Sequence, residues 1–320
     1  MELSEAKKQV IKAGIELSQS GLIARTWGNV SCRTDEGHFV ITASGRNYLT
    51  LTEDEVIEID METGEYEGEI KPSSEKKLHR EVYRLKPEAN FVIHTHQSNA
   101  SAVAAMGLKG IKLDKEYPGI GNYVFCADYG LPGTKKLCKN TAAAINEYDG
   151  QAVIMSNHGA ICYGSSYEEA FEVARTLEEA CGKYLEHLGI PAWKEQSLAD
   201  AEDAPKAGEQ DPIWNDDPAI MKFMKVRSVL KPYLDDFAQL AGTSLKVVDE
   251  DDEKAIAKAF KEKTPILVRG KGALCIAEER GDAEALSIVI EKNCRAALAA
   301  IGSKPINPLE CALMRMIYLK

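Results

Sequence analysis

Three of the six histidines in this chain sit where their side chains could share a ligand. In Val92-Ile93-His94-Thr95-His96 the spacing of two puts both imidazoles on one face of a strand, with Ile93 and Thr95 facing the other way. His158 lies in Ser156-Asn157-His158-Gly159-Ala160, where a strand ends and a glycine lets the backbone turn sharply. Each piece has a plainer reading: a hydrogen-bonded histidine pair, and a structural histidine beside a turn. Taken together, three neutral imidazoles with one position open make the arrangement of a catalytic metal site rather than a closed structural one. Zinc is the preferred ion for such ligands, although copper, iron, nickel and cobalt also accept imidazole.

A second cluster is Lys71-Pro72-Ser73-Ser74-Glu75. Two serines at a helix start place hydroxyls beside unpaired backbone N–H groups, which suits an anion or a phosphate. A plain helix cap explains the same residues. Gly28-Asn29 and Ser44-Gly45 offer further small residues and amides in turns. Glu75, one residue into that helix, either complements the helix dipole or moves a proton near a divalent cation.

The elements that must position these residues follow from periodicity. Leu3 to Ser20 has helical spacing. Val30–Arg33, Phe39–Thr42 and Val56–Ile59 read as short strands of an antiparallel meander. A helix capped by serine runs from Pro72-Ser73-Ser74 to about Leu85. Phe91–His96 and Ala152–Ser156 read as strands, Asn99–Met106 as a short helix, and Tyr167–Leu188 as a long helix with one apolar stripe.

At 320 residues the chain is long for a single core, so two domains are expected. Residues 1–192 form the first. Residues 193–216, rich in Asp, Glu, Ala and Pro, read as a linker, and 217–320 form a smaller α/β unit. That unit echoes the first: Ala152 to Cys162 aligns with Pro265 to Cys275, Glu178 with Glu291 and Cys181 with Cys294. His158 aligns with Lys271, so the second unit is read as a degenerate partial copy without a metal site.

Apolar residues are 44% and charged residues 28%, ordinary for a globular protein. A net charge of −11 disfavours nucleic acid or an anionic membrane as partner. The N-terminal segment lacks the apolar run of a secretory peptide, and no stretch is long enough to span a bilayer. Eight dispersed cysteines with no CxxC pair read as reduced, packed thiols, which points to the cytoplasm.

Over roughly residues 5–190 the chain resembles the class II aldolase/adducin family. The resemblance rests on Gly28-Asn29-Val30-Ser31, Ile41-Thr42-Ala43-Ser44-Gly45, Lys71-Pro72-Ser73-Ser74-Glu75 with Leu78-His79, Val92-Ile93-His94-Thr95-His96 and His158-Gly159, in that order. It implies a three-layer α/β/α sandwich around a largely antiparallel sheet, and a homo-oligomer, a tetramer, with its site between subunits. His94, His96 and His158 would match the zinc ligands. Gly28, Asn29, Ser44, Gly45, Ser73 and Ser74 would match the phosphate site, and Glu75 the acid/base residue. The implied reaction is cleavage of a small ketose phosphate, of the fuculose, rhamnulose or ribulose kind, to dihydroxyacetone phosphate and an aldehyde through a zinc-stabilised enediolate. Family epimerases tend to carry Asp where this chain has Glu75, which favours the aldolase. An epimerase, dehydratase or decarboxylase of the same family is the alternative, and a non-catalytic adducin-like interaction protein a second. The chain departs from the family where a catalytic tyrosine is expected: Asp114 takes that slot, with Tyr117 three residues on.

Overall fold

The computed structural model describes residues 1–23, 27–34, 37–194 and 212–318. The chain divides into two compact units: Met1–Ala104 with Leu108–Tyr184, and Ala105–Gly107 with Leu185–Lys320.

The first unit begins with helix α1 (Leu3–Gln19), where helical spacing was expected, and its buried Ala6, Val10, Ala13, Gly14 and Leu17 form one apolar stripe. Strands β1 (Asn29–Arg33), β2 (His38–Thr42) and β3 (Val56–Asp60) form the meander. Then come α2 (Lys76–Leu85), β4 (Phe91–Thr95), α3 (Ser98–Ala104), β5 (Gly110–Tyr117), β6 (Gly121–Ala127), α4 (Lys135–Asn146), β7 (Ala152–Met155), β8 (Gly159–Gly164) and α5 (Tyr167–His187). The strands make one sheet of order β3-β2-β1-β4-β8-β7-β6-β5. Its pairings are antiparallel apart from β6 with β7, as the resemblance implied.

Helices cover both faces. On one, Leu78 and Val82 of α2 and Leu137 and Ile145 of α4 pack on Phe39, Ile41, Val153 and Ile161. The alternate residues Val30, Val40 and Ile93 are equally buried, on the face that α1 and α3 approach. Double coverage explains why β4, β7 and β8 are buried throughout and lack polar alternation.

The second unit holds β9 (Ile213–Asn215), α6 (Pro218–Val226), β10 (Val229–Leu230), α7 (Asp235–Leu240), β11 (Leu245–Val248), α8 (Glu253–Glu262), β12 (Ile266–Val268), β13 (Gly272–Cys275), α9 (Arg280–Ala299) and α10 (Pro308–Tyr318). Most of the expected linker, residues 195–211, lies outside the described residues. Its last part needs correcting, because Ile213–Asn215 is a strand, held by the ladder it forms with β13.

The sheet order of this unit is β10-β11-β12-β13-β9. That is the order β5-β6-β7-β8-β4 of the first unit, and the senses agree pair by pair. β11–β12 is parallel, as β6–β7 is, and the other three pairs are antiparallel in both. Register agrees too. Ile154 opposite Ala160 corresponds to Leu267 opposite Ala273, and Ile93 opposite Cys162 to Ile213 opposite Cys275. The second unit therefore repeats the half of the first that runs from β4 to α5, with α7 inserted. Following the register, Trp214 stands at the position of His94, Asp216 at that of His96 and Lys271 at that of His158.

This copy keeps its core by other means. Glu178 of α5 accepts from the amides of Asn99 (2.7 Å) and Ala100 (3.1 Å) at the start of α3. The equivalent Glu291 of α9 instead accepts from Asn215 (3.2 Å) and from the fully buried Arg295, which also bonds Asp217. Among the described residues, no helix is long and apolar enough to cross a membrane.

Candidate metal centre

β4 is the central strand of the first sheet, between β1 and β8, and the site forms at its C-terminal end. His94 is its fourth residue. His96 lies just past the strand, which ends at Thr95, so strict strand alternation is not what brings it to His94. The segment after Thr95 is fixed by α5: Gln97 donates to the carbonyl of Ala174 (3.0 Å), and Glu178 caps α3 as above. The rings of His94 and His96 end with centroids 4.8 Å apart.

His158 arrives from the turn between β7 and β8. The residue that takes the left-handed backbone there is Asn157 (φ 60°), a conformation asparagine tolerates better than most. This corrects the role expected for Gly159. Its lack of a side chain serves packing instead, since a Cβ there would lie 2.1 Å from the carbonyl oxygen of Thr95. Close pairing of β8 with β4 stacks the His158 ring on His94, centroids 4.8 Å apart and planes 9° from parallel. The three imidazoles are buried, and their ligating nitrogens lie within 4.8 Å of one another.

Glu75 closes the cluster. It is the residue preceding α2 rather than the first turn within it, and its carboxylate makes no cap bond. The Oγ of Ser73 accepts from the Glu75 amide instead (3.2 Å). The buried carboxylate is thereby turned inward, with Oε2 3.1 Å from Nε2 of His94 and Oε1 3.0 Å from Nε2 of His158. Asn29 Nδ2 donates to Oε2 at 3.2 Å. Burial opposes ionisation of Glu75, but the flanking His94 and His158 hold it well below the usual carboxylate range.

Burial pushes His94 down to about 3, despite the attraction of Glu75. Its Nδ1–H donates to the carbonyl of Ala160 (2.9 Å), so the lone pair of the neutral ring is on Nε2. That lone pair faces a carboxylate oxygen at 3.1 Å and Nε2 of His96 at 3.0 Å. Electron-rich atoms this close need protons or a cation among them, and one cation at their centre would serve all three imidazoles and the carboxylate at once. The donor set therefore fits a metal ion. Imidazole nitrogens sharing one zinc stand roughly 3–3.5 Å apart, given Zn–N bonds of about 2.0–2.1 Å.

His79 is likewise buried and pushed down to about 3, chiefly by desolvation. Both histidines thus bind fewer protons folded than unfolded between pH 3 and 6.5, and the ionised Glu75 acts in the same direction. Stability they contribute is present above pH 6.5 and is lost as pH falls towards 3. We expect the unfolding free energy of metal-free protein, read from urea titrations, to fall from pH 6.5 to pH 4 by up to about 1.4 kcal/mol per pH unit for each histidine, and the urea midpoint to fall with it. A flat midpoint across that range contradicts buried neutral imidazoles.

The anion-site candidates also come together. Ala43 bridges Pro72, Ser44 N donates to the carbonyl of Lys71 (2.9 Å) and Ser73 N to that of Thr42 (3.0 Å). The amides of Ser44 and Ser73 are thus occupied, contrary to the open N–H groups expected of a helix start. Ser44, Gly45 and Ser74 remain exposed beside them, and Ser73 is buried. Gly28 (φ 137°) lets β1 run close to β4: a Cβ would lie 2.7 Å from the carbonyl oxygen of His94. Tyr48 secures this loop by donating to the Gly28 carbonyl at 2.5 Å. Asp114 and Tyr117 lie apart on the edge strand β5, where the Tyr117 hydroxyl donates to Asp114 (2.9 Å). Sequence reasoning gave no role to Ser31 or Tyr83, and noted His79 only as a matching residue. All three are buried and bonded to one another behind Asn29.

The family model for the class II aldolase and adducin N-terminal domain matches residues 8–185, more than half of the chain. The chain belongs to the class II aldolase/adducin family. Its match to L-fuculose phosphate aldolase of Escherichia coli is 32% identical over 198 residues, covering 59% of this chain and 87% of that enzyme. The 5-deoxy-D-ribulose 1-phosphate aldolase of Bacillus thuringiensis is also 32% identical, over 59% of this chain and 89% of its own. A solved L-fuculose 1-phosphate aldolase superposes with a TM-score of 0.53 at 27% identity, covering 62% of this chain and 93% of that one. In this class II aldolase/adducin member the histidine cluster lies inside the matched region, and the repeated half-sheet lies beyond it.

Proposed function

We propose that the first unit is a metal-dependent aldolase that cleaves a small ketose phosphate to dihydroxyacetone phosphate and an aldehyde. The observation that carries this reading is the buried carboxylate of Glu75, 3.1 Å from His94 and 3.0 Å from His158 and next in sequence to the exposed Ser74. His94, His96 and His158 would hold the metal, with zinc preferred because neutral imidazoles suit it. The bound cation would supply Lewis acidity at the substrate carbonyl oxygen.

The protein's own groups then do the following. Ser44, Gly45, Ser73 and Ser74 anchor the phosphate through hydroxyls and backbone, and Asn29 donates to Glu75. Anchoring fixes the C3 carbon relative to the carboxylate. In cleavage the C3–C4 bond breaks as the C4 hydroxyl gives up its proton, which the ionised Glu75 takes up and delivers to C3; in condensation Glu75 removes the C3 proton and the new C4 hydroxyl receives it. The adducin-like alternative has little support, because all three histidines are present and converge.

The test is a panel of ketose 1-phosphates and 5-phosphates, assayed with and without chelator. Release of a triose phosphate and an aldehyde that stops with chelator is the expected result. A single isomeric ketose phosphate as product would replace aldol cleavage with epimerisation.

A further inference from the structure

Behind Glu75 runs a buried chain of hydrogen bonds whose donors and acceptors are fixed from end to end. An ionised carboxylate only accepts, so Asn29 must present its NH2 group to Oε2, at 3.2 Å. Its carbonyl Oδ1 is then left for Nε2 of His79, which must donate. Nδ1 of the neutral His79 ring is consequently an acceptor, and it takes the hydroxyl hydrogen of Ser31 at 2.7 Å. Ser31 has given its only hydrogen, so the Tyr83 hydroxyl donates to it, also at 2.7 Å. Asn29, Ser31, His79 and Tyr83 are all buried. Ser31 and Asn29 are two apart on β1, and His79 and Tyr83 four apart on α2, so one strand face and one helix face supply the chain.

From this we propose that His79 is a positioning residue that, through Asn29, holds the carboxylate of Glu75 towards the histidine cluster. The consequence for Asn29 is specific: its Oδ1 is held by His79, so its NH2 group is the end that faces the carboxylate. A freely rotating Asn29 could turn Oδ1 towards Glu75 and repel it. His79, with a donor at Nε2 and an acceptor at Nδ1, forbids that turn. Phenylalanine at 79 would fill similar space and lack both functions, whereas glutamine offers a donor and an acceptor on a looser chain.

The proposal rests on the aldolase reading for its kinetic arm but not for its spectroscopic one. In ¹⁵N-histidine-labelled wild-type protein, zinc-loaded and metal-free, His79 should give the shifts of a neutral ring protonated at Nε2 at pH 7. A ring protonated at Nδ1 instead, or a charged ring, overturns the proposal whatever the enzyme turns over. On whichever ketose phosphate the wild type cleaves, His79→Phe should lower kcat by about 10–100-fold, as expected for groups that orient a site residue. KM and zinc content should stay near wild type. His79→Gln should recover part of kcat, and Asn29→Ala should match His79→Phe. Unchanged kcat in Asn29→Ala or in His79→Phe would overturn the proposal. If no ketose phosphate is cleaved by wild type, the functional reading fails, and the nitrogen shifts still decide the role of His79.

Discussion

His96→Ala should yield a folded protein that no longer holds a metal ion. The three rings pack edge-to-face or stacked, with centroids 4.7–4.8 Å apart, and His96 lies just past the end of β4. Removing its ring takes one ligand of three and leaves the strand pairings intact. Metal affinity should fall by well over about a hundredfold, more than is typical for losing a group that only orients a ligand. Elemental analysis should show about one equivalent of zinc per chain in wild type and close to none in the variant. Thermal unfolding gives a second reading. Added zinc at about a thousand times its Kd stabilises a specific binder by about 4 kcal/mol, a gain the variant should lack. A variant that keeps its full metal content would break the three-histidine centre and the functional proposal with it.

Glu75→Gln should separate metal binding from chemistry. The side chain keeps its size and its place before α2, but it loses the charge and the ability to carry a proton. Zinc content should remain near wild type, because the three imidazoles are the proposed ligands. Turnover should fall by about 10²–10⁴-fold, the usual contribution of a positioned acid or base. KM should change less than kcat, since the phosphate anchor does not involve this carboxylate. Full activity in the variant would remove Glu75 from the mechanism. Loss of zinc would instead make Glu75 a ligand and require another base.

The two predictions concern residues of different legibility. His94 and His96 announced themselves by spacing, and the Pro72 to Glu75 segment by its serines at a helix start. What spacing could not convey was direction. Glu75 was read as a residue of the first helical turn. Its carboxylate turns inward because Ser73 takes over the capping bond. Gly159 was credited with the turn that Asn157 makes, because glycine is the stronger local signal for positive φ, and its real constraint, the carbonyl of Thr95, comes from another strand. His79 looked like one more residue on a helix, and nothing local marks it as the partner of an asparagine 50 positions away.

The second unit shows the same division. Its β12–β13 hairpin and long helix were legible as an echo of β7, β8 and α5. The hairpin β5–β6 was not legible, because a register shift between Lys112 and Tyr117 interrupts the alternation of its first strand. Nor was β9, whose three residues are too few for any period to register. Yet β9 is what lets Trp214 and Asp216 be matched to His94 and His96.

Amino-acid order alone therefore settled what is governed by neighbours in the chain: the helical periodicity, the first meander and the close spacing of His94 and His96. The fold decided what depends on strands meeting. Pairing of β4 with β8 brings His158 to His94 across 64 positions of sequence, and pairing of β4 with β1 sets Asn29 opposite His94. Local periodicity reports which face a residue takes, because that is fixed by backbone dihedrals within a few residues. Which other face it then meets is set by sheet order and register, and these arise only when the whole core closes.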